Sequence, residues 1–197
     1  MTDKMKVLVT GGSGQLGQMI ARNCADRYAL RLTYHRHPIA APAGGEAAPM
    51  DLTDYASVWR AMQGVEAVVH LGADAGAHAG WGSIWPNNLV GTYHAYEAAR
   101  EAGVRRVVFA SSNHAAGYAI MENRPIGPDA PIRPDSLYGV SKAYGEALGR
   151  YYHDRYDLEV ICLRIGSCHE AEDEAAQRAR VARVAGATGR IAFYTPR

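Results

Sequence analysis

The chain has 197 residues, of which 48% are apolar and 21% charged, and its net charge is +1. That length suits one domain, or one domain with an appendage, and is enough to bury a substantial core. The near-neutral charge excludes the basic surface that nucleic acid or an anionic membrane demands, and no apolar run reaches the length of a membrane span. The opening stretch, Met1 to Thr10, lacks the apolar segment of a signal peptide, so the expected compartment is the cytoplasm. Cys24, Cys162 and Cys168 form no C-x-x-C pair, and none of the histidines makes an H-E-x-x-H pattern. Buried thiols are expected, and no metal site.

Lys6 to Thr10 is a short apolar run ending in glycines, which predicts a buried strand. The spacing of Leu16, Met19, Ile20 and Cys24 predicts a helix over 15–27. A second strand is expected over 29–34, then a loop over 36–49 rich in Pro, Ala and Gly. A short helix over 54–62, capped by Asp51 or Thr53, precedes a third strand over 65–71. A helix over 87–102 ends at Gly103, a fourth strand covers 106–110, and a loop with four prolines spans roughly 115–135. A long helix over 136–156 and a strand over 158–165 follow. Strands that alternate with helices imply crossover connections and a parallel sheet. The expected fold is therefore α/β, a Rossmann-like doubly wound parallel sheet with helices on both faces.

Two short patterns carry chemistry. Gly11-Gly12-Ser13-Gly14-Gln15-Leu16-Gly17 follows the first strand directly and opens the first helix. Glycines permit a tight turn and a close approach of main chain to a pyrophosphate, and a helix N-terminus offers unpaired N–H groups. Gly11, Gly14, Gln15, Leu16 and Gly17 are the expected contacts; a purely structural turn is the alternative. The second pattern is Tyr138-Gly-Val-Ser-Lys142. Residues four apart lie on one helix face, and a cation beside a phenol favours the phenolate, which is a route to a proton acceptor for an alcohol.

These patterns, with Asn88 in Asn88-Leu89-Val90-Gly91-Thr92 and Ser111-Ser112 ending the fourth strand, resemble the extended short-chain dehydrogenase/reductases over residues 5 to about 168. Phe109 to His114, Gly127-Pro128-Asp129, Arg133-Pro134-Asp135, Leu137 to Lys142 and Leu163 to Cys168 resemble the uronate dehydrogenases within that superfamily. The resemblance implies oxidation of a sugar acid at the anomeric carbon to a lactone, with NAD or NADP as cofactor. It implies that Tyr138 is the general base, that Lys142 depresses its pKa and holds the nicotinamide ribose, and that Ser112 binds the reacting oxygen, with Ser111 the alternate. It implies that Asn113, His114 and Ser167 contact the sugar acid, that Asn88 supports the active-site helix, and that Asp51, Leu52 and Gly72 line the cofactor cleft. Pairing of copies through the helices over 87–102 and 136–156 is implied by analogy. A sugar-nucleotide epimerase or dehydratase, or a dinucleotide-binding protein without turnover, are the competing functions.

Two departures from the pattern carry expectations of their own. Tyr34 stands where an acid would hold the adenosine ribose, and His35-Arg36-His37 follows. A guanidinium suits a 2′-phosphate, so Arg36 tilts the expectation towards NADP. The division expected is a dinucleotide-binding domain over 1–168 and an atypical tail over 169–197 that replaces most of a substrate lid, so that activity is low or absent. In that tail Glu170, Glu172, Asp173 and Glu174 precede Arg178, Arg180, Arg183 and Arg190. The expectation is an amphipathic helix with a strand over 191–194, or poor order. Arg178 or Arg180 is the candidate grip for the substrate carboxylate.

Overall fold

A computed structural model of the chain describes residues 4–76, 78–120, 122, 127–166 and 168. The elements run β1 (Lys6–Thr10), α1 (Gln15–Cys24), β2 (Ala29–Tyr34), β3 (Glu46–Pro49), α2 (Tyr55–Met62), β4 (Ala67–His70), α3 (Trp81–Ile84), α4 (Gly91–Glu101), β5 (Arg106–Ser112), α5 (Gly117–Ile120), α6 (Leu137–Tyr156) and β6 (Glu159–Ile165). A π-turn over Trp85–Val90 joins α3 to α4, and a 3₁₀ turn over Asn113–Ala115 follows β5. The six strands form one sheet in the order β3-β2-β1-β4-β5-β6. Every pair is parallel, as the alternation of elements requires. The strand order reverses between β1 and β4, where a doubly wound sheet opens a crevice at its carboxyl edge.

The core divides with the alternation of side chains along the strands. Leu8, Val68, Val107 and Phe109 face one way and pack with Val58 and Met62 of α2, Tyr96 of α4 and Tyr152 of α6. Val7, Val9, Leu30 and Leu32 face the other way, towards Ile20, Ala21 and Cys24 of α1. Beyond α1 the second face is thinly covered by the described residues, and Ile161 and Leu163 of β6 stay 44% and 48% exposed.

Several boundaries differ from the sequence reading: the stretch expected as a loop over 115–135 holds the short helix α5 (Gly117–Ile120), α1 ends at Cys24 and not at 27, and three further differences have a physical reason. The stretch expected as a loop over 36–49 contains edge strand β3, which pairs Arg31 with Glu46 and Thr33 with Ala48. Its four residues include two alanines and a proline, poor strand formers that an edge position tolerates. The helix expected from residue 87 begins at Trp81, because the π-turn accommodates Pro86, which has no N–H to give to the preceding turn. The cap of α2 is Asp54, whose carboxylate accepts from the Ala56 N–H at 3.0 Å, not Asp51 or Thr53. Ser167, Arg178, Arg180 and the helix and strand expected beyond residue 169 lie outside the described residues.

Candidate active site

The glycine turn builds one wall of the crevice. Gly11 has φ +66°, and a Cβ there would stand 3.0 Å from the main chain of Gly72. A Cβ on Gly17 would meet Gly12 Cα at 2.6 Å. Only glycines let the ends of β1 and β4 and the start of α1 converge this closely. Helix α1 starts at Gly14 with no side-chain cap, so its first N–H groups are open to an anion.

A buried network ties the two strand ends together. The Gly72 N–H donates to Thr10 Oγ1 at 2.9 Å, Thr10 Oγ1 lies 2.7 Å from His70 Nδ1, and His70 Nε2 lies 3.4 Å from Thr92 Oγ1. A neutral ring that accepts from Thr10 and donates to Thr92 satisfies all of these groups. Burial, with the nearby charge of Lys142 adding to it, pushes the His70 pKa down to about 3.

The opposite wall comes from β5 and α6. Ser111 and Ser112 end β5 and are both buried, yet they have different partners. Ser111 Oγ donates to Glu146 Oε1 at 2.5 Å, and Arg164 holds the same carboxylate with two bonds of 2.9 and 2.8 Å. Burial alone would raise the Glu146 carboxyl, but Arg164 and Ser111 outweigh it and hold it below its ordinary value. Ser111 is thus committed to structure. Ser112 instead caps the 3₁₀ turn through the His114 N–H at 3.2 Å and donates to Asn113 Oδ1 at 3.1 Å, with the Tyr138 phenol near enough for its hydroxyl to favour the phenolate.

Tyr138 and Lys142 share one face of α6, as their spacing predicts. Lys142 is 4% exposed, with Nζ 5.0 Å from the centroid of the Phe109 ring and 5.4 Å from that of Tyr138. Burial pushes its pKa down to about 8. The expected depression of the Tyr138 pKa by Lys142 is not what the geometry yields. Burial raises the phenol above its ordinary value, and the opposing pull comes from the Ser112 hydrogen bond. The ammonium lies over ring faces, so the desolvation of the phenolate dominates. The start of α6 is braced from behind: Asn88 in the π-turn donates to Ser141 Oγ at 3.0 Å, and Ser141 donates to the Tyr138 carbonyl at 2.7 Å. Asn88 also exchanges two hydrogen bonds with the main chain of Asp74, at 2.8 and 3.0 Å.

These walls enclose a cleft of about 440 Å³, lined by Gly11, Gly14 to Gly17, Gly72, Ser112, Tyr138 and Lys142 among others. The structure therefore gathers most of the residues expected from sequence. Asn113, His114, Arg36, Asp51 and Leu52 lie outside its lining. Leu52 reaches it indirectly, since its Cδ1 sits 2.7 Å from where a Gly72 Cβ would be. Asp51 accepts from Thr53 N–H and Oγ1, both at 2.8 Å, and stands 3.4 Å from His35 Nε2. The Thr10–His70–Thr92 and Ser111–Glu146–Arg164 networks and the His114–Asp135 pair were not legible as sites, because their members are 18 to 60 residues apart.

An all-parallel sheet with a glycine turn at its switch point, facing a Ser/Tyr/Lys set, defines a Rossmann-type dinucleotide-binding domain. The chain belongs to the NAD dependent epimerase/dehydratase family, whose model matches residues 7–186. It is 42% identical to a uronate dehydrogenase of Pseudomonas putida, over 82% of this chain and 60% of the relative. It is 41% identical to an NAD-dependent glucose-6-phosphate dehydrogenase of Haloferax volcanii, over 82% of this chain and 68% of the relative. A mutant uronate dehydrogenase from Agrobacterium tumefaciens, solved in complex with NAD, superposes with a TM-score of 0.75 at 38% identity, covering 84% of this chain and 62% of the other. The resemblance to the uronate dehydrogenases is thereby borne out, and the chain spans about 60% of the length of such relatives.

Proposed function

We propose that this chain oxidises a sugar acid of the hexuronate class at its anomeric carbon, giving a lactone, with a nicotinamide dinucleotide as acceptor. The observation that carries the proposal is the convergence of Ser112, Tyr138 and Lys142 on the cleft that the Gly11–Gly17 turn opens. The glycine positions and the uncapped start of α1 fit a pyrophosphate, and the dinucleotide, when bound, supplies the hydride acceptor. Ser112 holds the reacting oxygen, and Tyr138 Oη receives the hydroxyl proton as the carbonyl forms. The raised pKa of the buried phenol leaves the Ser112 hydroxyl as the group that opposes burial, and Lys142 is the proposed holder of the nicotinamide ribose. At pH 7 a lysine with a pKa of about 8 is still mostly protonated, so its charge is available. Asn113, His114 and Ser167 are the proposed sugar-acid contacts, since amide, imidazole and hydroxyl groups supply donors to a carboxylate.

The likeness to the uronate dehydrogenases supports the substrate class. A purified sample given galacturonate or glucuronate with either dinucleotide is expected to show the absorbance of reduced nicotinamide. Glucose 6-phosphate serves as the competing sugar, because a relative bearing that name is about equally similar. Folded protein that binds a dinucleotide but reduces none of it with either uronate would overturn the proposal. We further infer a preference for NADP over NAD, since Arg36 is exposed after β2 and Tyr34 stands in place of a ribose-binding acid. Arg36→Ala then lowers kcat/KM for NADP and leaves that for NAD unchanged; equal effects on both would sink the preference. Exposed Tyr93 on α4 and Tyr151 on α6 support self-association through these helices, which light scattering of the purified protein checks.

A further inference from the structure

His114 sits beside Tyr138, and its ring is held from two sides. It meets the Tyr138 ring edge to face, with centroids 5.8 Å apart and an interplanar angle of 74°. Its Nδ1 lies 2.8 Å from Asp135 Oδ1. Asp135 is the more buried partner, with a side chain 17% exposed against 35% for His114. The same carboxylate oxygen accepts from Ser136 Oγ at 3.1 Å, and Ser136 Oγ accepts the Gly139 N–H at 3.1 Å as the cap of α6. One carboxylate therefore links the His114 turn to the start of the helix that carries Tyr138.

The main chain leaves this pair little freedom. Arg133 N–H donates to the Ala115 carbonyl at 3.0 Å, and Tyr118 N–H donates to the Arg133 carbonyl at 2.9 Å. These bonds zip the segment before Asp135 onto the turn that bears His114. Gly117 allows the contact, since a Cβ there would stand 2.6 Å from Asp135 Cγ. Gly139 abuts the His114 carbonyl in the same way.

A carboxylate on Nδ1 selects the tautomer. It accepts the Nδ1 proton, and Nε2 becomes the remaining polar atom of the ring. We propose that Asp135 is a positioning residue: it keeps the proton of neutral His114 on Nδ1 and the ring against Tyr138, so that Nε2 is the atom that meets the substrate. This rests on the reading of the cleft as a sugar-acid site, with the substrate reaching past Tyr138 to His114, which adjoins the lining without being part of it. In that tautomer Nε2 accepts from a sugar hydroxyl.

The test reads the ring directly. Nitrogen-15 shifts of the His114 ring, assigned with His114→Gln, are expected to show an Nδ1–H tautomer in the full chain. Asp135→Asn keeps the shape but can donate its amide N–H to Nδ1, so the proton is expected to move to Nε2. KM for the uronate is then expected to rise about tenfold, the loss of roughly one hydrogen bond to a fixed partner, while kcat and dinucleotide affinity change little. Asp135→Glu, which keeps a carboxylate, is expected to restore the original tautomer. A wild-type ring with its proton on Nε2 overturns the proposal, and that measurement stands even if Asp135→Asn does not fold. A ring that Asp135→Asn leaves unaltered overturns it too, and a switched ring with an unchanged KM overturns the claim that Nε2 meets substrate. A ring that switches as expected in protein that oxidises no sugar acid upholds the role of Asp135 on His114 and refutes the proposed function instead.

Discussion

The two walls of the cleft are made of different material. The β1–α1 wall presents glycines and main-chain N–H groups, and its shape depends on atoms that are missing. The β5–α6 wall presents side chains wired to one another: Ser112 to Asn113, Ser141 to the Tyr138 carbonyl, Ser111 to Glu146 and Glu146 to Arg164. A wall of main chain is damaged by adding a methyl group, and a wall of polar side chains by removing an oxygen. The difference teaches that binding and turnover should fail separately.

The largest expected effect is on turnover. Tyr138→Phe should lower kcat by about 10²–10⁴, the usual contribution of general acid–base catalysis. Dinucleotide affinity, followed by fluorescence titration, should stay the same; a parallel loss of both would erase the distinction between the walls. Next is acid sensitivity at the joint between them. His70 is buried, with a pKa of about 3 against 6.5 for the free side chain. The unfolded chain thus binds a proton more readily than the folded one between these values. The stability from the neutral ring is complete above pH 6.5 and drains away as pH falls towards 3, by about 1.4 kcal/mol per pH unit where the difference is full. Urea midpoints measured from pH 7 down to pH 4 should fall more steeply for the wild type than for His70→Gln, and parallel curves would refute the account.

On the main-chain wall, Gly17→Ala forces a Cβ into Gly12. A loss of about 1–3 kcal/mol in stability is expected from such overpacking, together with weaker dinucleotide binding. Unchanged affinity would show that the cofactor does not use this turn. The smallest effect separates the two serines. Ser111→Ala loses one bond to a charged carboxylate, about 1.5 kcal/mol, visible in the thermal midpoint, with kcat intact. Ser112→Ala should instead lower kcat, with some loss in the thermal midpoint from the lost cap on the Asn113–Ala115 turn, and a loss of turnover in Ser111→Ala would show that the reacting oxygen belongs to Ser111.

The glycine turn and the Tyr138/Lys142 pair were readable because each lies within a few residues of a strand end or along one helix face, where spacing maps directly onto geometry; Ser112 was expected through the resemblance to the extended short-chain dehydrogenase/reductases. Five of the six strands were readable for the same reason, since Lys6–Thr10 and its counterparts are apolar runs. β3 was hidden because Glu46 to Pro49 takes its conformation from pairing with β2 and not from its own residues. Asp135, Glu146 and His70 were hidden as partners because the contacts that define them close over 18 to 60 residues. The pKa of Tyr138 was misjudged for a related reason. Four residues of spacing say that two side chains are neighbours, but not how much water both have lost.

The π-turn over Trp85–Val90 widens the chain's path where it faces α6. It carries Asn88 towards Ser141 on one side of the wider loop while α4 behind it keeps Tyr96 and Ala99 in the core. Removing a single residue there would allow an ordinary helix and so could strengthen it locally. The helices on either side would keep their phase, because an α turn with one residue fewer covers nearly the same angle, but the side chains within the segment would be redistributed. Asn88 would swing away from α6, and the Asp74 loop that it grips would lose its anchor. For anyone engineering this protein, the irregular turn is the part that reaches α6, and a more regular helix there would be a worse one.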